Sequence, residues 1–299
     1  MDKFKLVFDC YKKDLVLDYE KLKFFGVSNK RDVYNPSRIF EFNDKEYLFG
    51  RVEKRKDWAN SKVMLFRKTD FGWKRVRFFR SFKLEDPFIT KVCGEFVFGG
   101  VFVKKTAGKI ELKTVFYKGK NPFSLKKFAE GPWGMKDIRL AELGDKKIGV
   151  FTRPLGGKYG RGKIGFTILD SLYDLSSETI NKAKLIRFPF GKGEWGGVND
   201  VLLLKKDILG VVGHIAYKFE DKRRFYYPIS FKFNLKEKKI SELKLLFKRD
   251  NLPFELPKNK FLYDVIFPGG IVLDKGKARL DVGVGDSKAY EILIKNPFK

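Results

Sequence analysis

At 299 residues the chain is long enough to bury one large core or two ordinary ones, and a composition of 43% hydrophobic residues with 32 phenylalanines excludes a charge-dominated disordered polymer. The 64 Lys+Arg against 37 Asp+Glu give a formal charge of +27, but the cations stand singly between apolar residues, as in Phe231-Lys232-Phe233 and across residues 240–247. That is the pattern of solvated strand faces; a heat-adapted surface is therefore preferred to nucleic acid as a partner, while a local phosphate site fits either reading.

From the start of the chain, residues 1–15 are interrupted by Lys3, Lys5, Asp9, Lys12, Lys13 and Asp14, so no apolar leader is expected. No later run reaches membrane-spanning length, and the expectation is a cytoplasmic protein without a membrane partner. Short β-rich runs follow at residues 47–52, 96–103, 148–152, 201–204, 208–217, 227–233 and 271–284, separated by Gly, Asn, Asp and Lys clusters. Helical periodicity is nearly absent, with 124–129 and 176–183 as the two candidate short helices, which sets alternating βαβ architecture aside. The fold class is all-β. Cys10 and Cys93 match neither a CxxC pair nor a zinc spacing, so free thiols and no metal are expected. The Gly-rich stretches 156–165 and 191–197 read as loops, since neither carries a P-loop or dinucleotide motif between a strand and a helix. No linker stands out, and residues 1–299 are expected to form one domain.

An acidic or Asn-containing corner recurs before an apolar strand, at Asn35-Pro36, Glu85-Asp86-Pro87, Lys136-Asp137, Asn199-Asp200 and Tyr263-Asp264. Positions 36, 86, 137, 200 and 264 are 50, 51, 63 and 64 residues apart. Blades of four strands need about 40 to 50 residues plus loops, so five repeats fill the chain as a five-bladed β-propeller. Any one corner is ordinary turn chemistry, because Asp and Asn side chains bond nearby backbone. Five in register favour a site, since equivalent positions of successive blades converge on one axis.

At these corners the sequence resembles the β-mannoside phosphorylase family of five-bladed propellers, and more closely the related β-1,2-mannosyltransferase/phosphorylases. The likeness runs over about residues 34–290. Asn35-Pro36 with Arg51-Val52-Glu53 is similar to that family's first-blade elements, and Leu84-Glu85-Asp86-Pro87 to the signature carrying its catalytic Asp. Lys136-Asp137 with Arg153-Pro154, Gly213-His214, Val265 to Gly270 and Gly283-Val284-Gly285-Asp286 continue the likeness. Phe88, Arg139-Leu140 and Asn199-Asp200 depart from the pattern, which bears on substrate range.

The resemblance implies inverting mannosyl transfer with Asp86 as the general acid/base, acting through a sugar hydroxyl. A phosphorylase needs one carboxyl group, because phosphate is already an anionic nucleophile, whereas an inverting hydrolase needs two. The resemblance assigns phosphate to Arg51, Lys136, Arg153 and His214, with the hydroxyl of Tyr226 or Tyr227 as a weaker contact. Asn35, Asp137, Asn199, Asp200, Asp264 and Asp286 are read as acceptors that orient the sugar. Trp133 and Trp195 are candidate stacking faces, though simple packing is the preferred reading of both. The implied partners are a mannooligosaccharide with phosphate, a sugar phosphate or a nucleotide sugar such as GDP-mannose. No cofactor is needed, and homo-oligomerisation stays open. Two other readings remain: a hydrolase of the same superfamily, with Asp137, Asp200 or Asp264 as the second carboxylate, and a non-catalytic propeller that binds carbohydrate or polyanion.

Overall fold

The computed structural model describes residues 15–55, 57–106, 108–241 and 243–299; Cys10 and most of the N-terminal segment discussed above lie outside them. Five antiparallel sheets follow one another in chain order, as the corner spacing predicts. Blade 1 has its inner strand in two pieces, Arg31–Tyr34 and Phe40–Phe42, followed by Lys45–Lys54, Asp57–Thr69 and Gly72–Arg75, with Phe24–Phe25 pairing outside in parallel. Blade 2 is Glu85–Val92, Glu95–Thr106, Lys109–Gly119 and Lys126–Glu130; blade 3 is Arg139–Glu142, Ile148–Thr152, Gly165–Leu169 and Lys184–Leu185. Blade 4 runs Trp195–Lys205, Ile208–Lys218 and Arg224–Asn234, with Lys239–Ile240 and Lys244–Leu245 sharing its outer edge. Blade 5 runs Ile266–Asp274, Lys277–Val284 and Lys288–Lys295 and takes its outer strand, Val16–Lys21, from the other end of the chain. That pairing ties the first blade to the last.

The segment 124–129, a candidate helix by sequence, is instead mostly the outer strand of blade 2, where Lys126 to Glu130 pair with Lys118 to Val115. The sheet edge supplies hydrogen bonds that a helix this short could not match. Residues 176–183 do contain a helix, Ser177–Asn181, capped by Ser176. Gly196 and Gly197 lie in the inner strand of blade 4 and not in a loop.

Five apolar clusters fill the gaps between neighbouring blades, such as Phe151, Phe166, Phe231 and Phe233 between blades 3 and 4. The gap between blades 1 and 2 is largely aromatic, with the Phe49 and Phe98 ring centroids 4.2 Å apart and Phe82 4.6 Å from Phe98. The phenylalanine-rich composition is thus used where sheets face one another, each buried ring contributing about 1.5–3 kcal/mol.

Near its start the inner strand breaks register in blades 1, 2, 4 and 5, while that of blade 3 pairs without a shift and is preceded by an irregular residue, Asp137. Residues 35–39 interrupt pairing in blade 1, and bulges fall between Glu85 and Phe88, Val198 and Asp200, and Pro268 and Gly270. At two of these breaks, and just before the inner strand of blade 3, the backbone is left-handed on a non-glycine residue: Asn35 (φ 43°), Asp86 (φ 47°) and Asp137 (φ 55°). Asn and Asp tolerate this conformation best among side-chain-bearing residues. The break in blade 5 is at Gly269, five residues beyond the Tyr263-Asp264 corner of the sequence pattern, because a β-carbon there would stand 1.6 Å from the Pro36 carbonyl oxygen. Gly269→Ala is therefore expected to lower stability by about 3 kcal/mol or more, read from urea unfolding, with Gly94→Ala, at an open turn, as the milder comparison.

Candidate active site

The breaks deliver a set of charged side chains to one end of the axis. Asp86 is 7% exposed, and its Oδ1 accepts from Asn35 Nδ2 at 2.8 Å and from Arg51 Nη1 at 3.1 Å. Its Oδ2 has no partner among the described residues and is not sealed from solvent. Arg51 is held in turn by Ser61 on Nε (3.1 Å), and by Glu53 and Glu85 on Nη2 (3.0 Å each). Three of the five guanidinium N–H groups are thereby used in hydrogen bonds, and Glu85 adds an ion pair. Glu53 is fully buried and also pairs with Lys258, while the rings and charges of Tyr34 and Asp286 close the group. Burial pushes the Asp86 carboxyl up, but Arg51, Lys136 and the Asn35 amide outweigh it and hold it below the usual aspartate range. Glu85 and Asp286 lie above theirs, chiefly through burial.

Across from this acidic group stands a cationic one. Asp137 Oδ2 accepts from Arg153 Nη1 at 2.5 Å and lies 3.9 Å from His214 Nε2. Arg153 Nη2 donates to the Arg161 carbonyl at 2.9 Å. Lys136 has no hydrogen bond or ion pair with the described residues; burial lowers its proton affinity, and Asp137 and Asp86 more than restore it. Arg139 donates to the Asn199 carbonyl at 2.7 Å. The Asn199 side chain donates to the Pro268 carbonyl and lies 2.7 Å from His214 Nδ1, which makes its Oδ1 the acceptor and places the histidine proton on Nδ1. Gly197 is required beneath them, since a β-carbon would sit within 3.1 Å of Arg153, Asp137 and His214 alike.

Asn35, Arg51, Asp86, Lys136, Asp137, Arg153, Asn199, His214 and Asp286 are brought together, but three expected contacts are not. Asp200 accepts from the backbone of Val201 and Ile271 at 2.9 Å each and faces Arg38 at 3.4 Å, so it ties blades 4, 5 and 1 together. Asp264 lies beside Asp250, Arg249 and Arg223, outside the Asp86 group, and offers its backbone carbonyl to Tyr226. Tyr227 faces the core between blades 3 and 4, its ring 5.9 Å from Phe225; one position earlier, Tyr226 stacks on His214 at 5.5 Å. Arg51, expected to hold phosphate, is engaged mainly by carboxylates. Trp195 is buried beneath Arg161, whereas Trp133 is 49% exposed, with Lys113 over its ring. Sequence reasoning gave no site role to Glu53, Glu85 and Arg139, which it met only within motifs, or to Tyr34, Ser61 and Lys258. Glu53 was within reach, because alternate positions on a strand put it on the same face as Arg51.

A family model described as "Protein of unknown function (DUF1861)" matches residues 10–299. The chain belongs to that family. Among solved structures, a mannose phosphorylase from Leishmania mexicana in complex with phosphate ion is 38% identical, with a TM-score of 0.88 over 95% of this chain and 90% of that one. A GDP-Man-dependent mannosyltransferase from Leishmania mexicana is 37% identical, with a TM-score of 0.87 over 95% and 91%. A β-1,2-mannobiose phosphorylase from Listeria innocua shares the fold at 14% identity and a TM-score of 0.65, over 91% and 92%. The family likeness read from the corners is borne out. No curated protein matches.

His214 is the chain's sole histidine, which makes its protonation directly readable. Burial, which outweighs the pull of Asp137, holds it down to about 3. An unfolded imidazole titrates near 6.5, so its contribution to stability is complete above about pH 6.5 and falls as pH drops toward 3, by about 1.4 kcal/mol per unit. Nitrogen NMR of the folded protein at pH 5 should find a neutral ring protonated on Nδ1; an imidazolium there would contradict the burial assigned to it.

Proposed function

We propose that this member of the DUF1861 family is a reversible, inverting mannosyltransferase/phosphorylase acting on β-1,2-linked mannooligosaccharides, with Asp86 as general acid/base. The observation that carries the reading is the division of charge. One carboxylate keeps an oxygen open at the axis, and facing it are the ammonium of Lys136, which has no partner among the described residues, and the buried guanidinium of Arg153.

In phosphorolysis a phosphate oxygen attacks the anomeric carbon while the bond from that carbon to the bridging oxygen breaks. The bridging oxygen leaves with a proton supplied by Asp86 through a sugar hydroxyl, and the product is α-mannose 1-phosphate. In the synthetic direction Asp86 takes that proton back from the acceptor, and the donor is mannose 1-phosphate or a nucleotide sugar. Lys136 and Arg153 hold the phosphate, with the Tyr226 hydroxyl, next to His214, replacing Tyr227 as the added donor. Asn35, Asp286 and Asn199 orient sugar hydroxyls. An inverting hydrolase would need a carboxylate opposite Asp86 to activate water; Asp137, the acid on that side, has one oxygen committed to Arg153. A cytoplasmic location and a heat-adapted surface belong to the same proposal. Among the described residues no helix is long and apolar enough to cross a membrane.

Purified protein incubated with β-1,2-mannobiose should release mannose 1-phosphate only when phosphate is added. Asp86→Asn should lose about 10²–10⁴-fold in turnover with sugar binding retained, and release of free mannose without phosphate would replace this reading by the hydrolytic one. Lys136→Met should raise KM for phosphate about tenfold or more while changing KM for the disaccharide little.

A further inference from the structure

The acidic half of the site has an internal competition. Glu53, Glu85 and Asp86 all contact the single guanidinium of Arg51, at 3.0, 3.0 and 3.1 Å. Glu53 is the strongest competitor, because it is fully buried and has no water to share its charge; a buried carboxylate without compensation draws every nearby cation toward it. Were Arg51 to turn fully to Glu53, Asp86 would lose the contact that fixes one of its oxygens.

Lys258 supplies the second cation. It lies on the long connection between blades 4 and 5, its backbone N–H donates to the Gly285 carbonyl at 2.8 Å, and Pro257 packs against Gly285. From there the side chain reaches into blade 1 and pairs with Glu53. Its ammonium lies 5.6 Å from the centre of the Tyr34 ring, and the Arg51 guanidinium is 5.1 Å from the same ring. The groups facing Lys258 are Glu53, Arg51, Asp286, Asp32 and Tyr34. Those facing Asp86 are Asn35, Arg51, Lys136, Asp137, Glu85, Asp286 and Tyr34. Lys258 has no contact with Asp86 itself.

We propose that Lys258 is a positioning residue for the mannosyl-transfer reaction: by neutralising Glu53 it leaves Arg51 available to anchor Asp86 with one oxygen fixed and the other toward the sugar. The proposal rests on the assignment of Asp86 above. A merely structural lysine would affect folding; this one sets the protonation of a group it does not touch. Removing its charge weakens the hold on the Asp86 carboxylate, so the base form needed for synthesis is lost at a higher pH.

The test is the pH dependence of transfer from mannose 1-phosphate to β-1,2-mannobiose, with thermal unfolding measured for every variant. Lys258→Met should shift the low-pH limb of kcat upward by about one unit and lower kcat about tenfold, with KM for mannose 1-phosphate within about twofold. Lys258→Arg should restore the limb. In a Glu53→Gln background, where the competing anion is gone, Lys258→Met should produce no further shift; such non-additivity is what coupling through Glu53 requires. An unmoved limb, or an activity loss that simply follows the melting temperature, overturns the proposal, as does an equal shift in both backgrounds. Failure of the underlying reading would show separately, as an Asp86→Asn variant that still transfers mannose.

Discussion

The structure depends on a backbone constraint at the start of each inner strand. A strand that kept perfect register would send alternate side chains into the two neighbouring inter-blade gaps and leave the axis to whichever residues happened to face it. An irregular residue at the start of the strand turns a short polar side chain toward the axis in blades 1 to 4, while the strand below resumes its apolar alternation. The cost is a left-handed residue at Asn35, Asp86 and Asp137 and a close backbone approach at Gly269. It is offset by the hydrogen bonds these side chains make with their neighbours, Asn35 to Asp86 and Arg153 to Asp137. Strain thus falls on the residues that the proposed function places in the site.

This explains what the sequence discloses. The corners are legible because a left-handed turn restricts residue type, and its recurrence at blade-length intervals announces both the fold and the axial set. Asp86 and Asp137 stand out on those grounds. The fifth corner misleads because the residue at that break is Gly269: the Pro36 carbonyl excludes any side chain, so the polar signature is missing from the true position and a nearby Asp264 takes its place in the pattern. Asp200 misleads for a related reason. It adjoins the break at Asn199, but its carboxylate caps backbone N–H groups of Val201 and Ile271.

Tyr226 and Tyr227 show where sequence reasoning ends. One residue of register decides which ring meets His214 and which enters the core, and composition is indifferent between two adjacent tyrosines. Lys258 is a harder case. It sits on a connection without repeat or motif, and the role proposed for it arises only because the path from blade 4 to blade 5 passes over Gly285 and comes within reach of Glu53. Long-range ion pairs of this kind leave no local trace.

The site holds Asp86 below the usual aspartate range, as a carboxylate, although the proposed phosphorolysis asks it for a proton. The two halves of the site reconcile these demands. Arg51 and Lys136 together depress its proton affinity, but under the proposed reading they differ in what they meet during the reaction. Arg51 keeps its carboxylates throughout, whereas Lys136 receives the incoming phosphate, whose negative charge cancels much of the pull that Lys136 exerts on Asp86. Binding the nucleophile therefore raises the proton affinity of the acid, and the sugar, by displacing water between them, strengthens the effect. Handing that proton to the bridging oxygen leaves Asp86 as the carboxylate, and departure of mannose 1-phosphate frees Lys136 to hold it in that form. Such coupling favours a phosphorylase over a hydrolase for a physical reason: water at the same position carries no charge and would leave Asp86 ionised, with no proton to give.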